Sequence, residues 1–468
     1  MIQLNRSMMD RYEIPARRPE TLRCIFFGAD ALMLGAAYRM IDRANELGRD
    51  MGAACVCSHA AADCLNAQDG MLTLMIRGEK PDGSALREER VLQGVLSALE
   101  PERDFEALLQ LASKPELELI FCHAAPDALE TGLIARILVE RSEKNLPAPR
   151  ILCVSDRPEP GCAEDIRANV AAVARKWKAD YSANVQVQAV LAETLCGAIT
   201  GAERDKRFYE MNYRDDMLAW AEPQLKLSFD GEIPALLQGV EGAVSAGNFA
   251  ELLSRKARIF DSAVFLCASL GFLCGMDNFS QVMKDEQLRD WIGHAFFDEI
   301  LPGLPYAREA IAPDVISAFE RLENPMNDMR LLETGRNLLR DFSRTLLPAV
   351  RAYAEENFEA PRYIALALAA AVMLYAGARP DANGDYCVQH GEVSQKLWDD
   401  PEILEDFARL AHDMPAETLA YAALANRAAW GTDLREIDGL EMRVTFDLSA
   451  IQRIGLRRTM KLHAENQE

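Results

Sequence analysis

The sequence predicts an α/β fold joined to an all-α one. A doubly wound domain is expected over residues 1–248 and a helical domain over 249–468. Three observations carry this. Short apolar runs alternate with helical periodicity through the first half. From Phe249 onward nearly every segment has helical spacing. A chain of 468 residues also exceeds one small core and suits two domains.

The elements follow in order. Residues 22–28 (LRCIFFG) form an apolar run that stops at a glycine, and alanine-rich helical spacing follows from Ala31 to Leu47. A second short apolar run spans Gly52–Ser58, so the chain opens as βαβ. Further strands are expected at Met71–Ile76, Leu117–Cys122 and Arg150–Val154, with helices at Glu89–Leu99, Asp104–Ala112 and Ala128–Lys144. This alternation predicts a mostly parallel sheet with helices on both faces. In the second half, Pro302, Pro313, Pro325, Pro348, Pro361 and Pro380 punctuate the helices. The longest apolar stretch, Tyr363–Ala378, is too short and too alanine-rich for a bilayer and reads as a buried helix.

Composition narrows the function. Apolar residues make 49% of the chain and charged residues 26%, the balance of a soluble globular protein. A net charge of −22 repels phosphate backbones and anionic membranes, so neither nucleic acid nor membrane is an expected partner. The eleven cysteines are scattered and odd in number, which predicts buried free thiols in a reducing, cytoplasmic setting. Cys55-Val-Cys57 is a strand alternation, and no metal site is expected. Met1–Arg18 has no apolar core of the kind a signal peptide needs.

An ordered series of segments resembles the long-chain mannitol dehydrogenase family, in its tagaturonate reductase-like branch. The segments are LNAQDGMLTLMIRG (65–78), DFEALLQLASKPELELIFCHAA (104–125), LAWAEPQLKLSFDG (218–231), Lys256–Gly275, FDEILP (297–302), FERLENP (319–325) and WGTDLREIDGL (430–440). The resemblance implies a Rossmann-type domain that binds NAD or NADP and a helical domain of the 6-phosphogluconate dehydrogenase C-terminal type. It also implies metal-free hydride transfer on a sugar acid or polyol, with a lysine as acid/base and asparagine and histidine around the reacting oxygen.

Several positions depart from that pattern. The cofactor turn, FGxGNFxR in the family, reads Phe27-Gly28-Ala29-Asp30-Ala31-Leu32-Met33-Leu34. Gly28 is kept, but Asp30 stands where backbone should approach the pyrophosphate, and Leu34 replaces the arginine. A carboxylate about 5 Å from a diphosphate repels it by ~3 kcal/mol at an effective dielectric near ~20. Asp30 serves as readily to cap the following helix. Ser58 and His59, not an acid, end the second strand. On the catalytic helix the lysine is Lys256, but the asparagine five residues on is Asp261 and the histidine eight on is Val264. An ionised aspartate offers an alkoxide no donor, and beside Lys256 it holds the ammonium protonated. At ideal α-helical geometry, residues five apart lie about 140° apart, so the two meet only if Lys256 lies in or before the first turn.

On the substrate side, Cys122-His123-Ala124-Ala125 replaces a polar segment, Asn324-Pro325 and Asn337 remain, and Met329 and Asp341 stand for a histidine and a lysine. His123 follows a strand at the sheet's C-terminal edge. It is either a new acid/base or a residue that hydrogen-bonds a loop. Cys122 reads as an inert buried thiol and His294 as a satisfied helix histidine. The candidate site residues are therefore Lys256, Asp261 and His123 for chemistry, and Gly28 and Asp30 for a cofactor. Three readings stay open: an NAD(P)-dependent oxidoreductase on a hexuronate, aldonate or polyol; a catalytically silent binding or regulatory paralogue; and a repurposed sugar-acid enzyme. Simultaneous change at the cofactor turn, catalytic helix and substrate positions favours the second.

Overall fold

The computed structural model describes residues 2–9, 11, 18–79, 84–177, 185–327, 329–391 and 393–465. Residues 10 and 12–17 of the polar start lie outside them. Two compact units divide the chain, Met1–Leu253 and Ser254–Glu468.

The N-terminal unit is built on an eight-stranded sheet. Its strands are β1 (Leu22–Phe27), β2 (Gly52–Val56), β5 (Val95–Leu99), β6 (Leu119–His123), β7 (Arg150–Ser155), β8 (Val187–Ala192), β11 (Leu227–Asp230) and β12 (Ala243–Ala246). A smaller sheet holds β3 (Leu72–Glu79), β4 (Ala85–Leu92), β9 (Cys196–Ala198) and β10 (Ala219–Ala221). The order across the large sheet is β12-β11-β8-β7-β6-β1-β2-β5. The six adjacent strands β8, β7, β6, β1, β2 and β5 are parallel. This is the doubly wound order, whose winding reverses between β1 and β6.

The apolar runs have no polar alternation because both faces of the sheet are covered. Along β1, Cys24 and Phe26 enter one core, and Ile25 and Phe27 enter the other. Phe26 stacks on Phe121 of β6 with ring centroids 4.3 Å apart, and on Tyr38 at 4.0 Å.

The helix expected over Glu89–Leu99 does not form. β4 runs antiparallel to β3 from Leu72↔Leu92 to Glu79↔Ala85, and β5 pairs in parallel with β2. Apolar residues at 91, 92, 95, 96 and 99 suit either structure, and strand partners decide between them. Arg90 shows the result: it is buried, and it pairs with Asp42 and Glu46 of the helix that follows β1.

The C-terminal unit is helical, with one exception. Its centre is the helix Arg362–Ala376, buried along nearly its whole length and packed against helices Ser262–Leu273 and Leu440–Ile454. The buried helix expected over 363–378 is this one, and among the described residues no helix is long and apolar enough to cross a membrane. The exception is a three-stranded antiparallel sheet, Arg379–Pro380, Tyr386–His390 and Val393–Lys396, not foreseen from helical spacing. Asn383-Gly384, with Gly384 at φ +84°, makes the turn that starts it.

Candidate functional site

Each unit gathers some of the candidate residues. In the N-terminal unit, β1 ends at Phe27 and turns through Gly28, whose φ is +103°. The Gly28 amide donates to the Val56 carbonyl at 2.9 Å, tying the turn to β2. Asp30 Oδ1 accepts from the amides of Leu32 (2.9 Å) and Met33 (3.3 Å), so Asp30 caps the helix that begins there. Its other oxygen, Oδ2, meets His123 Nε2 at 2.7 Å.

His123 closes β6, the strand beside β1. On its other side lies Glu130, which accepts from the His123 amide at 3.3 Å and stands 3.8 Å from Nδ1. The hydrogen bond to Asp30, then the one to Glu130, push the His123 imidazole up to about 10. At neutral pH the ring is therefore protonated, a cation held by two carboxylates. The loop-bonding reading of His123 fits this geometry. Protonated, the ring has a proton to donate and no lone pair with which to accept one. Burial alone would raise Asp30. The hydrogen bond and charge of His123 and the two helix amides outweigh it and hold Asp30 below its usual range.

The turn as folded does not fit a dinucleotide diphosphate. The amides that such a phosphate would use are taken by Asp30. A Cβ at Gly28 would lie 2.5 Å from His123 Cε1, so the space that glycine leaves is filled by the imidazole ring. After β2, His59 stands 3.2 Å from Arg103, which also holds Asp63 (2.9 Å) and Asp104 (3.0 Å).

In the C-terminal unit, Lys256 ends the helix Phe249–Lys256, and a π-turn follows at Ala257–Asp261. A π-turn bonds i to i+5, so residues five apart share a face. The 140° separation of an ideal α-helix does not apply here. Lys256 Nζ reaches Asp261 Oδ1 at 2.6 Å, and the Asp261 side chain is 2% exposed. The Lys256 ammonium also lies 5.5 Å from the Phe260 ring centroid, and Arg321 lies 4.8 Å from the same ring.

Arg344 joins this group and was not foreseen. It pairs with Asp341 at 3.0 Å and stands 4.0 Å from Asp261 Oδ2. Asp341 inverts the charge expected of its position, yet one helical turn on Arg344 supplies a cation. The i,i+3 spacing Asp341…Arg344 is the signal that could have found it. The remaining positions of the family pattern lie in the following surroundings. Asn324 caps its own turn, Asn337 is left-handed at φ +56°, and Val264 and Met329 are buried apolar residues.

Cys122 and His294 have close neighbours of their own. Cys122 lies beside Cys153 with sulfurs 3.8 Å apart, fully buried. The Cys153 hydrogen bond and burial raise its thiol well above the usual value. His294 bonds Asp298 at 2.8 Å and stacks on Tyr363. All eleven cysteines are free, and among the described residues no His/Cys/Asp/Glu group could hold a metal ion.

Comparison with known proteins gives the class first. The fold matches Pseudomonas fluorescens mannitol 2-dehydrogenase, solved as a ternary complex with NAD and D-mannitol, at TM-score 0.78 and 16% identity, covering 99% of this chain and 100% of that one. It also matches a D-sorbitol dehydrogenase at TM-score 0.74 and 14% identity, over 98% and 100% of the two chains. The fold is thus that of the mannitol and sorbitol dehydrogenases, a Rossmann-like unit followed by a helical one. No protein-family model matches the chain.

Sequence relatives narrow this. The altronate oxidoreductase of Bacillus subtilis is 23% identical over 98% of both chains. That of Klebsiella pneumoniae strain 342 is 26% identical over 96% of this chain and 98% of its own. That of Halalkalibacterium halodurans is 24% identical over 85% and 83%. The chain is thus similar in sequence to altronate oxidoreductases and in fold to mannitol and sorbitol dehydrogenases.

Proposed function

We propose that this chain descends from an NAD(P)-dependent oxidoreductase of hexuronates, aldonates or polyols, is impaired in that hydride transfer, and serves as a binding protein for a small sugar acid. The ion pair between Lys256 and Asp261 carries this reading. In the resembling family, a lysine and an asparagine amide face the reacting oxygen. Here the lysine's charge is directed at a buried carboxylate, and that carboxylate offers a nascent alkoxide no donor. Losing one such donor typically costs about 3–4 kcal/mol of transition-state stabilisation. The free cysteines support a reducing, cytoplasmic setting.

The test follows NADH and NADPH oxidation with tagaturonate, fructuronate and fructose, alongside calorimetric titration of the same compounds. The expected result is binding of a sugar acid without turnover. Turnover that disappears in Lys256→Ala would establish the second reading, an active oxidoreductase, which the retained lysine and the altronate oxidoreductase relatives favour.

A further inference from the structure

The N-terminal unit carries a separate feature, independent of Lys256. The crevice of a doubly wound sheet opens at the C-terminal ends of the two strands where the winding reverses, here β1 and β6. The first residues after or at those ends are Gly28 to Asp30 and His123, and they meet each other across the crevice.

We propose that Asp30 and His123 close this crevice from within, so that the chain binds neither NAD(H) nor NADP(H) until the pair is removed. Three observations on separate atoms carry it. Asp30 Oδ1 holds the Leu32 and Met33 amides, the donors a phosphate would need. Asp30 Oδ2 is bound to His123 Nε2, and Glu130 holds the same ring from the opposite side, so the imidazole is fixed in place. That ring lies over Gly28, where a Cβ would come within 2.5 Å of it. A glycine at this point normally makes the tight turn from strand to helix beside the diphosphate site. Here the room it leaves is occupied by the protein's own side chain.

Charge works in the same direction. Two carboxylates, Asp30 and Glu130, flank one imidazolium, which leaves the group net negative towards an incoming diphosphate. The turn from Gly28 to Leu34 contains no lysine or arginine to offset it. Asp30 thus acts as a tethered anion in place of a phosphate, and His123 as its counter-ion.

The experiment titrates the full-length chain with NADH and with NADPH, read by calorimetry and by nicotinamide fluorescence. The wild type is expected to show no saturation up to about 1 mM. The double variant Asp30→Gly/His123→Ala, which frees the two helix amides and opens the space above Gly28, is expected to bind at least about tenfold more tightly. Asp30→Asn/His123→Gln guards against a folding defect: asparagine keeps the helix cap while both charges go, and a smaller gain is expected. Saturable micromolar binding by the wild type overturns the proposal. So does a failure of both double variants, folded by their melting transitions, to gain affinity. Neither outcome touches the reading of Lys256: a chain that binds NADH and still fails to turn over would sink this proposal and leave the impairment standing.

Discussion

The ammonium of Lys256 and the carboxylate of Asp261 meet at 2.6 Å although five residues separate them. The π-turn at Ala257–Asp261 brings them to one face. Asp261 is buried, and Arg344 is the next cation, 4.0 Å away. Removing the lysine leaves a carboxylate in a poorly solvated place. Lys256→Met is therefore expected to lower stability by about 3 kcal/mol, the scale of a broken buried pair. Lys256→Met with Asp261→Leu removes both charges and is expected to recover most of that loss. Denaturant unfolding of the single and double variants measures the difference, and equal stability of all forms would show that the pair carries no weight.

The Asp30–His123 pair gives the N-terminal unit a pH signature. His123 has a folded pKa raised to about 10. Its stabilisation is present in full below the unfolded value of about 6.5 and is lost as pH rises through about 10. Asp30 is lowered in the fold. Its stabilisation is present above about 3.9 and is lost as pH falls below that. Side-chain exposures of 36% and 47% leave the pair screened by water, so about 1 kcal/mol is expected. Melting temperature against pH should decline less between 7 and 10 in His123→Ala than in the wild type, and parallel curves would rule the effect out.

Glu299 does for one helix what a cap residue usually does. The helix Arg362–Ala376 starts after Pro361, which gives it no side-chain cap. The Glu299 oxygens instead accept from the Tyr363 amide (2.7 Å) and the Ile364 amide (2.8 Å). Burial pushes Glu299 up to about 8, against the pull of those amides. Because the folded pKa is raised, this group's contribution is full below about 4.3 and declines as pH climbs to about 8. Glu299→Gln should flatten that decline. Glu299→Ala, which orphans two buried amides, should destabilise by about 2–4 kcal/mol. Thermal unfolding at pH 5 and pH 8.5 separates the two variants.

Gly35 lies inside the helix that follows β1 and packs against β9, where an added Cβ would come within 2.5 Å of Cys196 Cβ. Gly35→Ala is expected to cost about 1–3 kcal/mol despite alanine's better helix propensity, because crowding at a packed contact outweighs it. Combining it with Cys196→Gly should restore stability. An additive loss in the double variant would show that the contact yields easily.

What the sequence determined by itself is the periodicity. Runs such as LRCIFFG, apolar on both faces, specify parallel strands buried between layers, and the helical spacing of nearly every segment after Phe249 specifies the helices of the second unit but not its small sheet. These signals are local, because strands and helices repeat within a few residues. The stretch 89–99 escaped because its spacing suits helix and strand alike, and partners far along the chain chose. The tertiary structure alone decided what the altered positions do. Asp30 and His123 lie 93 residues apart and become partners only because the winding of the sheet sets β1 beside β6. Lys256 and Asp261 are close in sequence, but one widened helical turn, invisible to a fixed period of 3.6, turns them to the same side.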